Sequence, residues 1–411
     1  MTNLKVCIFT ETYYPVVGGG ETQARALAEG LVSNGFDVIV LTRRSHAALE
    51  KTEQFGEVTV HRLPPVGRQH CKKWGLLLAS IPALIKLRQR YNLIFVSGFR
   101  VVGMTAVMVS KLLGKTSVLK ADSLGEMSGE FFAAGLAKVG LRPSSLVFRP
   151  FLWLRDRILK QADAFVAVSS EVAAELTTYG VNTDIIYMIP NSVDTIQFCP
   201  VTADERYALR QKLGIPPKHR IAIFTGRLVS YKGLPLLVRV WKEIQRKHSN
   251  ATLLLVGSGG LDIHTCEAEL KVYVSKQGLQ ECVHFTGDVR NVHEYLQASD
   301  IFVFPTESEA FGIALIEAMS CAIPVISTHA GGVKDIVQHR QNGLVVRPGD
   351  FQQLYEALDT LITDHSLSAS LGAAARQTVL DRFSTDTVTQ QYVRLFRHAS
   401  NPCDKALVLN Q

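Results

Sequence analysis

The sequence predicts an α/β protein with two doubly wound domains, each built on a parallel sheet. Short, nearly continuous apolar strands alternate with helices along the chain, which is typical of a parallel sheet covered by helices on both faces. The pattern restarts around Cys199-Pro200-Val201, and 411 residues are long for one hydrophobic core. We therefore expect domains over residues 1–200 and 201–384 that face each other across a cleft. Ligands of such sheets bind beyond the carboxyl ends of the strands.

The individual elements follow this alternation. In the first half, apolar runs predict the strands LKVCIFT, DVIVLT, NLIFVSG, TSVLKA and AFVAVS, and the glycine-rich VVGGG opens a helix that ends at Gly35. In the second half, the predicted strands are RIAIFTG, ATLLLVG, CVHFTG, IFVFP, IPVIST and GLVV, with helices such as LPLLVRVWKEIQRKH and HEYLQASD between them. A last helix, Thr385–Ser400, begins a segment, 385–411, that we expect to pack back on the first domain.

The composition, with 47% hydrophobic and 20% charged residues, is that of a folded globular protein. The first residues lack the apolar core of a signal peptide, and the longest uncharged apolar run, Trp74–Ile85, is too short to span a bilayer. Seven cysteines without metal-type spacing favour free thiols in a reducing compartment. We therefore expect a cytoplasmic protein.

Positive charge is concentrated in part of the first half. No Asp or Glu occurs between Glu57 and Asp122, whereas that interval holds eleven Lys and Arg. Within it, Arg68–Tyr91 places basic residues on both sides of the apolar run. This pattern favours peripheral contact with the inner face of the cell membrane, although a core helix with a solvated basic end has the same pattern. Nucleic-acid binding is disfavoured, because aromatic residues are not interleaved with the basic ones.

Two glycine-containing turns are candidate phosphate sites. In TGRLVSYKG, Arg227 lies at the carboxyl end of a predicted strand and Lys232 at the start of the next helix, where both can hold a diphosphate. The alternative is a pair of surface cations on a loop. The run Gly18–Gly20 can also let a phosphate approach a helix start, but it lacks the G-x-G-x-x-G spacing of a dinucleotide site.

The stretch TESEAFGIALIEAMS places Glu309 and Glu317 in otherwise apolar surroundings. A helix is predicted to begin near Gly312, so Glu309 lies in the preceding loop and Glu317 within the helix. A buried carboxylate is costly unless it accepts hydrogen bonds, and the vicinal hydroxyls of a sugar supply them. Taken singly, Glu309 can equally be an acid near a helix N-terminus, and Glu317 a member of a buried ion pair.

Together these motifs resemble the retaining nucleotide-sugar glycosyltransferases of family 4, which have the GT-B fold. EAFGIALIE is similar to the family's E-x7-E motif, GRLVSYKG to its G-R-L-x-x-x-K-G motif, and GGG to its N-terminal glycine loop. The order of IPNSVD, FTGDV and NGLVVRPGD also matches. The resemblance implies transfer of a hexosyl group from a nucleotide-diphosphate donor with retention of the anomeric configuration.

The resemblance also implies roles for individual residues. Arg227 and Lys232 would bind the donor diphosphate, Glu309 would contact the donor sugar, and Glu317 would bind the nucleotide ribose. The other implied donor contacts are Ala310, Phe311 and Gly312 beside the sugar, Val289 and Arg290 around the base, and Gly19 and Gly20 beside the phosphate or the sugar.

The sequence departs from the family's pattern at two places. Ala310 replaces the usual glycine of E-G-F-G, which would narrow the pocket near the sugar. The loop after TSVLKA lacks the His of many members and offers Asp122 and Glu126 instead. We favour Asp122 for contact with the reacting atoms, the alternative being a carboxylate that caps the next turn.

The expected chemistry needs neither a metal nor a cofactor besides the nucleotide sugar. No Asp-x-Asp pair is present to hold a metal, so Arg227, Lys232 and helix amides would stabilise the leaving diphosphate. The basic interval suggests an acceptor on an anionic lipid carrier, as in cell-surface polysaccharide assembly. The alternatives are a sugar-nucleotide epimerase, a phosphorylase, or a non-catalytic membrane-associated assembly protein, and a nicotinamide dehydrogenase is disfavoured by the glycine spacing.

Overall fold

The protein is described by a computed structural model that covers residues 4–16, 18–67, 72–100, 102–132, 145, 148–260 and 262–400. The chain divides into two compact units: unit 1 comprises Met1–Asn191 and Thr385–Gln411, and unit 2 comprises Ser192–Ser384. The division precedes Pro200, because the segment after Asn191 is already bound to unit 2. There the Val193 N–H donates to the Phe383 carbonyl at 2.8 Å.

Unit 1 contains an eight-stranded sheet with the order β3-β4-β2-β1-β5-β6-β7-β8. All neighbouring pairs are parallel except β3 and β4. That pair is antiparallel because a two-residue turn joins the strands, which leaves no room for a crossover. The strands are β1 (Lys5–Thr10), β2 (Asp37–Arg43), β3 (Thr52–Phe55), β4 (Val58–Leu63), β5 (Leu93–Ser97), β6 (Thr116–Ala121), β7 (Ala164–Ala167) and β8 (Ile186–Met188).

Helices follow the strands of unit 1, as the alternation of apolar runs and glycine-terminated segments predicts. Their apolar sides pack on the central strands, in which nearly every residue is buried. The helices are α1 (Gly19–Ser33), α2 (Lys72–Lys86), α3 (Gly103–Leu113), α4 (Arg149–Leu159) and α5 (Ser170–Thr178). Within the described ranges, none is both long and apolar enough to cross a bilayer.

Unit 2 contains a six-stranded, entirely parallel sheet with the order β11-β10-β9-β12-β13-β14. The strands are β9 (Arg220–Thr225), β10 (Ala251–Val256), β11 (Val283–Gly287), β12 (Ile301–Phe304), β13 (Val325–Thr328) and β14 (Leu344–Val346). The helices are α6 (Ala203–Lys212), α7 (Leu234–Lys247), α8 (Glu267–Lys276), α9 (Val292–Gln297), α10 (Ile313–Ser320), α11 (Phe351–Thr363) and α12 (His365–Arg382). The strand order reverses between β9 and β12, which is where open parallel sheets bind ligands.

The last helix, α13 (Thr385–Ser400), packs on unit 1. The rings of Tyr392 and Phe396 each lie 5.4 Å from the ring of Phe95 on β5. Burial of these aromatic side chains accounts for the attachment, since each removes a large apolar area from water. The rest of the predicted segment, residues 401–411, lies outside the described ranges.

Candidate active site

The strand reversal in unit 2 brings two predicted loops together. One loop follows β9 and contains Arg227 and Lys232, and the other follows β12 and contains Glu309. They are bound to each other by the backbone, since the Glu307 N–H donates to the Tyr231 carbonyl at 2.8 Å. This contact places Lys232 beside Glu309.

Lys232 ends a short 3-10 turn, Ser230–Lys232, immediately before α7. Its ammonium group lies 2.5 Å from Glu309 Oε2, and it also lies 5.2 Å from the centre of the Phe304 ring. The lysine side chain is buried and the glutamate is only partly exposed. The positive charge is therefore held by a carboxylate and an aromatic face, with little water around it.

The backbone of Glu309 is fixed by the segment after β13. Gly332 donates its N–H to the Glu309 carbonyl at 2.9 Å. A Cβ added at Gly331 would lie 1.8 Å from that carbonyl oxygen, and the φ of Gly331 is +59°. This close approach and the left-handed backbone both require glycine, so the AGGV turn sets the position of the Glu309 carboxylate.

Arg227 occupies a more open position than Lys232. Its side chain is 62% exposed, and its guanidinium binds the Asp262 carboxylate and donates to the Tyr231 hydroxyl at 2.8 Å. The sequence did not predict Asp262 as a partner. Arg227 thus faces the same loop system as Lys232 but has its own counter-ion.

Glu317 lies one turn inside α10, whose first residue follows Gly312 with a φ of +109°. Its neighbours Ile316 and Ala318 are buried. Burial raises the pKa of Glu317 to about 8. The carboxyl group has no hydrogen-bond donor among the residues that the structure describes, which suits a group that binds hydroxyls of a ligand.

The other predicted donor contacts in unit 2 surround these groups or lie at the end of β11. Phe311 is buried against the ring of Phe383 at 5.8 Å, and Ala310 is partly exposed beside it. Val289 and Arg290 follow β11 and precede α9, so they lie at the same edge of the sheet as Arg227, two strands away. Val289 is partly buried and Arg290 is exposed.

Asp122 lies in unit 1, in the loop after β6. Its carboxylate binds Lys120 at 2.7 Å and accepts a hydrogen bond from the Ser97 hydroxyl at 2.9 Å. Lys120 is buried and also donates to Asn191 at 2.8 Å. These contacts orient a carboxylate that stays partly exposed. A lysine inside the apolar strand TSVLKA is the feature of the sequence that indicates such a partner.

Glu126, the alternative to Asp122, is buried and has a structural role. One of its oxygens accepts hydrogen bonds from Arg100 and from the backbone N–H groups of Asp122 and Ser123. Burial raises the pKa of Glu126 to about 7, while Arg100 opposes that rise. Because the Glu126 carboxylate already binds groups of its own loop, Asp122 is the better candidate for contact with a substrate.

Gly19 and Gly20 form the first turn of α1 in unit 1 and are exposed. A Cβ at Gly20 would meet no atom within 4 Å, so the space beside this residue is open. Glu21 folds back over the turn, since a Cβ added at Gly18 would lie 2.4 Å from Glu21 Oε2. A carboxylate therefore lies beside the helix start that was predicted to approach a phosphate or a sugar.

Comparisons with known proteins agree with the motifs. Residues 17–197 match the family model described as Glycosyltransferase Family 4, and residues 205–378 match the model described as Glycosyl transferases group 1. The chain is 23% identical over 410 residues to an uncharacterized glycosyltransferase of Methanocaldococcus jannaschii, with 96% of this chain and 98% of the relative covered. It is 25% identical to the N-acetyl-alpha-D-glucosaminyl L-malate synthase of Bacillus anthracis, with 94% and 95% covered.

Solved structures show the same fold. HepE of Anabaena, in complex with UDP and glucose, superposes with a TM-score of 0.76 at 20% identity and covers 96% of this chain and 100% of its own. Sucrose-phosphate synthase of Thermosynechococcus elongatus superposes with a TM-score of 0.78 at 24% identity and covers 96% and 98%. With the two parallel sheets and the two family models, these findings confirm the predicted fold and family: the chain belongs to glycosyltransferase family 4 and is a glycosyltransferase with the GT-B fold.

Proposed function

We propose that the protein transfers a hexosyl group from a nucleoside diphosphate sugar to an acceptor hydroxyl, with retention of the anomeric configuration. The observation that carries the proposal is the Lys232–Glu309 pair at the strand reversal of unit 2, beside a loop that also presents Arg227. A cation, an oriented carboxylate and a second carboxyl without a donor are what a diphosphate, a sugar and a ribose require. The structures of HepE with UDP and with UDP-glucose support a nucleotide sugar as the donor.

In the proposed reaction, the bond between the anomeric carbon and the diphosphate oxygen breaks, the acceptor oxygen bonds to the same face of that carbon, and the proton of the acceptor hydroxyl passes to the leaving diphosphate. Negative charge then develops on the leaving diphosphate. Lys232 stabilises this charge from a position with little water, where an electrostatic contact is stronger than in bulk solvent, and Arg227 adds a second cation. In this proposal the two side chains do the electrostatic work without a metal. Asp122 is our candidate for contact with the acceptor.

Thermal unfolding in the presence of a panel of UDP, GDP and ADP sugars tests the donor class. A ligand at a hundred times its dissociation constant adds about 2.7 kcal/mol of stability. For units of this size, each kcal/mol raises the melting temperature by about 2–4 °C. We expect at least one nucleotide sugar to raise it by several degrees, and the bare sugar to have no effect. No shift with any nucleotide sugar would contradict the proposal.

We further propose that the acceptor is a lipid-linked or cell-surface saccharide precursor presented at the membrane face. The support comes from unit 1, where six of the thirteen exposed large apolar side chains of the described residues lie on three neighbouring helices. We call this surface the α2–α4 face. It consists of Leu78 and Ile81 on α2, Met108 and Leu112 on α3, and Trp153 and Leu154 on α4.

Four residues of the α2–α4 face, Leu78, Ile81, Met108 and Leu112, line a groove of about 440 Å³, and the exposed Arg157 lies over the ring of Trp153 at 5.4 Å. Apolar side chains with cations around them fit the boundary between headgroups and acyl chains. The predicted contact segment, Arg68–Tyr91, contributes only in part. Tyr91 is buried in the core and donates its hydroxyl to the Leu84 carbonyl at 2.9 Å. Residues 68–71 and the side chains of residues 72–74 lie outside the described part of the chain.

Flotation with anionic liposomes at low salt tests this surface. We expect the wild type to float with vesicles and Leu78→Asp/Leu112→Asp to remain in solution, because the two replaced side chains are 75% and 73% exposed and each variant carboxylate meets acyl chains or anionic headgroups. The matched control, Ile196→Asp/Val272→Asp, makes the same charge change in unit 2 at residues 87% and 53% exposed, and it should float. Equal flotation of both variants, or no flotation of the wild type, would contradict the proposed contact of the α2–α4 face with the membrane.

A further inference from the structure

A second cavity in unit 1 has an unusual distribution of charge. It lies between β4 and α2 and has a volume of about 520 Å³. Its floor is apolar and includes Leu63 and Leu87. We call it the β4–α2 pocket. Arg44, Lys51, His61, Arg62 and Lys86 line it, and no Asp or Glu is among its described lining residues.

Three cations of the β4–α2 pocket, Arg44, Lys51 and Lys86, have no carboxylate partner within the part of the chain that the structure describes. Lys51 and Lys86 are exposed there and form no ion pair. Arg44 donates to the carbonyls of Leu49 and Ala47, both at 2.6 Å, so its guanidinium is held in place while its charge has no carboxylate partner. Clustered cations of this kind repel each other and attract anions.

One further basic side chain of the pocket lining does have a carboxylate partner. Arg62 also borders the pocket, but its guanidinium turns to the Glu53 carboxylate at 2.5 Å and the Tyr14 carbonyl at 3.0 Å. Arg62 is therefore neutralised by Glu53, whereas Arg44, Lys51 and Lys86 have no carboxylate partner among the described residues.

His61 adds an imidazole to the lining of the pocket. Its Nδ1 lies 3.3 Å from the Thr52 hydroxyl on β3, and Lys51, Lys86 and Arg90 are the charged groups around it. Burial lowers the pKa of His61, and the charges of Arg90 and Lys86 lower it further. A bound anion would raise the pKa of His61, so this pKa reports whether the pocket is occupied.

We infer that the β4–α2 pocket binds a phosphate or pyrophosphate group. A group with several negative oxygens can contact the three cations, which lie next to β2, next to β3 and at the end of α2. The apolar floor can hold the ester portion of a larger ligand. The anion is either a soluble phosphate ester or the headgroup of an anionic lipid. The inference does not depend on the proposed sugar transfer.

Nuclear magnetic resonance of the histidine rings in the full-length protein tests the inference, with inorganic pyrophosphate as the probe and His61→Gln to assign the signal. We expect a saturable shift of the His61 resonances and an upward shift of its pKa. Lys51→Glu/Lys86→Glu should weaken the response at least about tenfold, since two attractions become repulsions. The control Lys218→Glu/Lys276→Glu reverses two exposed lysines of unit 2 and should respond like the wild type.

The variant Lys232→Ala distinguishes binding in this pocket from binding at the donor site. In this variant the His61 response should persist even where nucleotide binding is lost. A His61 signal that does not saturate, or one that weakens equally in both lysine-reversal variants, would overturn the inference. Sedimentation with phosphatidylglycerol vesicles then identifies the source of the anion. Competition of vesicle binding by pyrophosphate would assign the pocket to a lipid headgroup, and binding without competition would assign it to a soluble phosphate ester.

Discussion

Lys232→Ala is expected to reduce sugar transfer at least about a hundredfold at saturating donor, because one preorganised contact to a developing oxyanion is worth about 3 kcal/mol. The ammonium group lies beside Glu309 and has little exposure, so neither water nor another described cation at this distance replaces it. Removal also leaves the Glu309 carboxylate uncompensated next to the expected diphosphate, which adds repulsion. Steady-state transfer with varied donor measures both kcat and kcat/KM.

Two variants distinguish this loss from damage to the fold. Lys232→Met keeps an aliphatic side chain of similar length at this buried position and should lose as much activity as the alanine variant, with a melting temperature nearer that of the wild type. Lys212→Ala removes a lysine that also pairs with a glutamate in unit 2 but lies away from the strand reversal, and it should transfer normally. Near-normal turnover of both Lys232 variants would refute the role assigned to this side chain.

Glu317→Gln is expected to weaken donor binding by about tenfold to a hundredfold, since hydrogen bonds to a charged acceptor are worth about 1.5–3 kcal/mol. Burial raises the pKa of Glu317 to about 8, so at neutral pH the carboxyl is mostly protonated before a ligand binds. Hydroxyl donors favour the ionised form. Donor affinity should therefore rise with pH between about 6 and 8 in the wild type and stay nearly constant in Glu317→Gln. Calorimetric titration at several pH values measures this.

The same group makes a signed prediction for stability. Between the ordinary carboxyl pKa and about 8, Glu317 binds a proton in the native state but not in the unfolded chain. Native protein then binds more protons, so the free energy of unfolding falls as pH rises through this window. The side chain is partly exposed, so water reduces the cost of its charge. We therefore expect Glu317→Gln to remove only about 1–3 kcal/mol of the fall in the free energy of unfolding. Urea unfolding from pH 5 to pH 8 checks it, with Glu281→Gln, an exposed site, as the control. Unchanged pH dependence in Glu317→Gln would contradict the assigned burial.

The buried strands were predictable because their side chains are apolar on both faces. TSVLKA coincides with β6 at Thr116–Ala121, and the last helix coincides with α13 at Thr385–Ser400. The β3–β4 hairpin was missed. Its outer strand, Thr52–Phe55, lies at the sheet edge with alternating exposed residues, so it carries no continuous apolar signal.

The loops that form the candidate site were predictable, but the residues that pair with its side chains were not. The ends of β9 and β12 follow from the strand pattern, and with them the positions of Arg227, Lys232 and Glu309. The pairing of Arg227 with Asp262 depends on a loop after another strand, and the support of Glu309 by Gly331 depends on the turn after β13. Such contacts arise from the three-dimensional arrangement of separate segments, which local composition does not encode.

A crystal structure of the protein with a bound nucleotide sugar tests the central claim most directly. We expect diphosphate oxygens within hydrogen-bond distance of Lys232 Nζ, a sugar hydroxyl on the Glu309 carboxylate and a ribose hydroxyl on Glu317. A nucleotide sugar bound elsewhere, with the Lys232–Glu309 pair untouched by any phosphate, would contradict it.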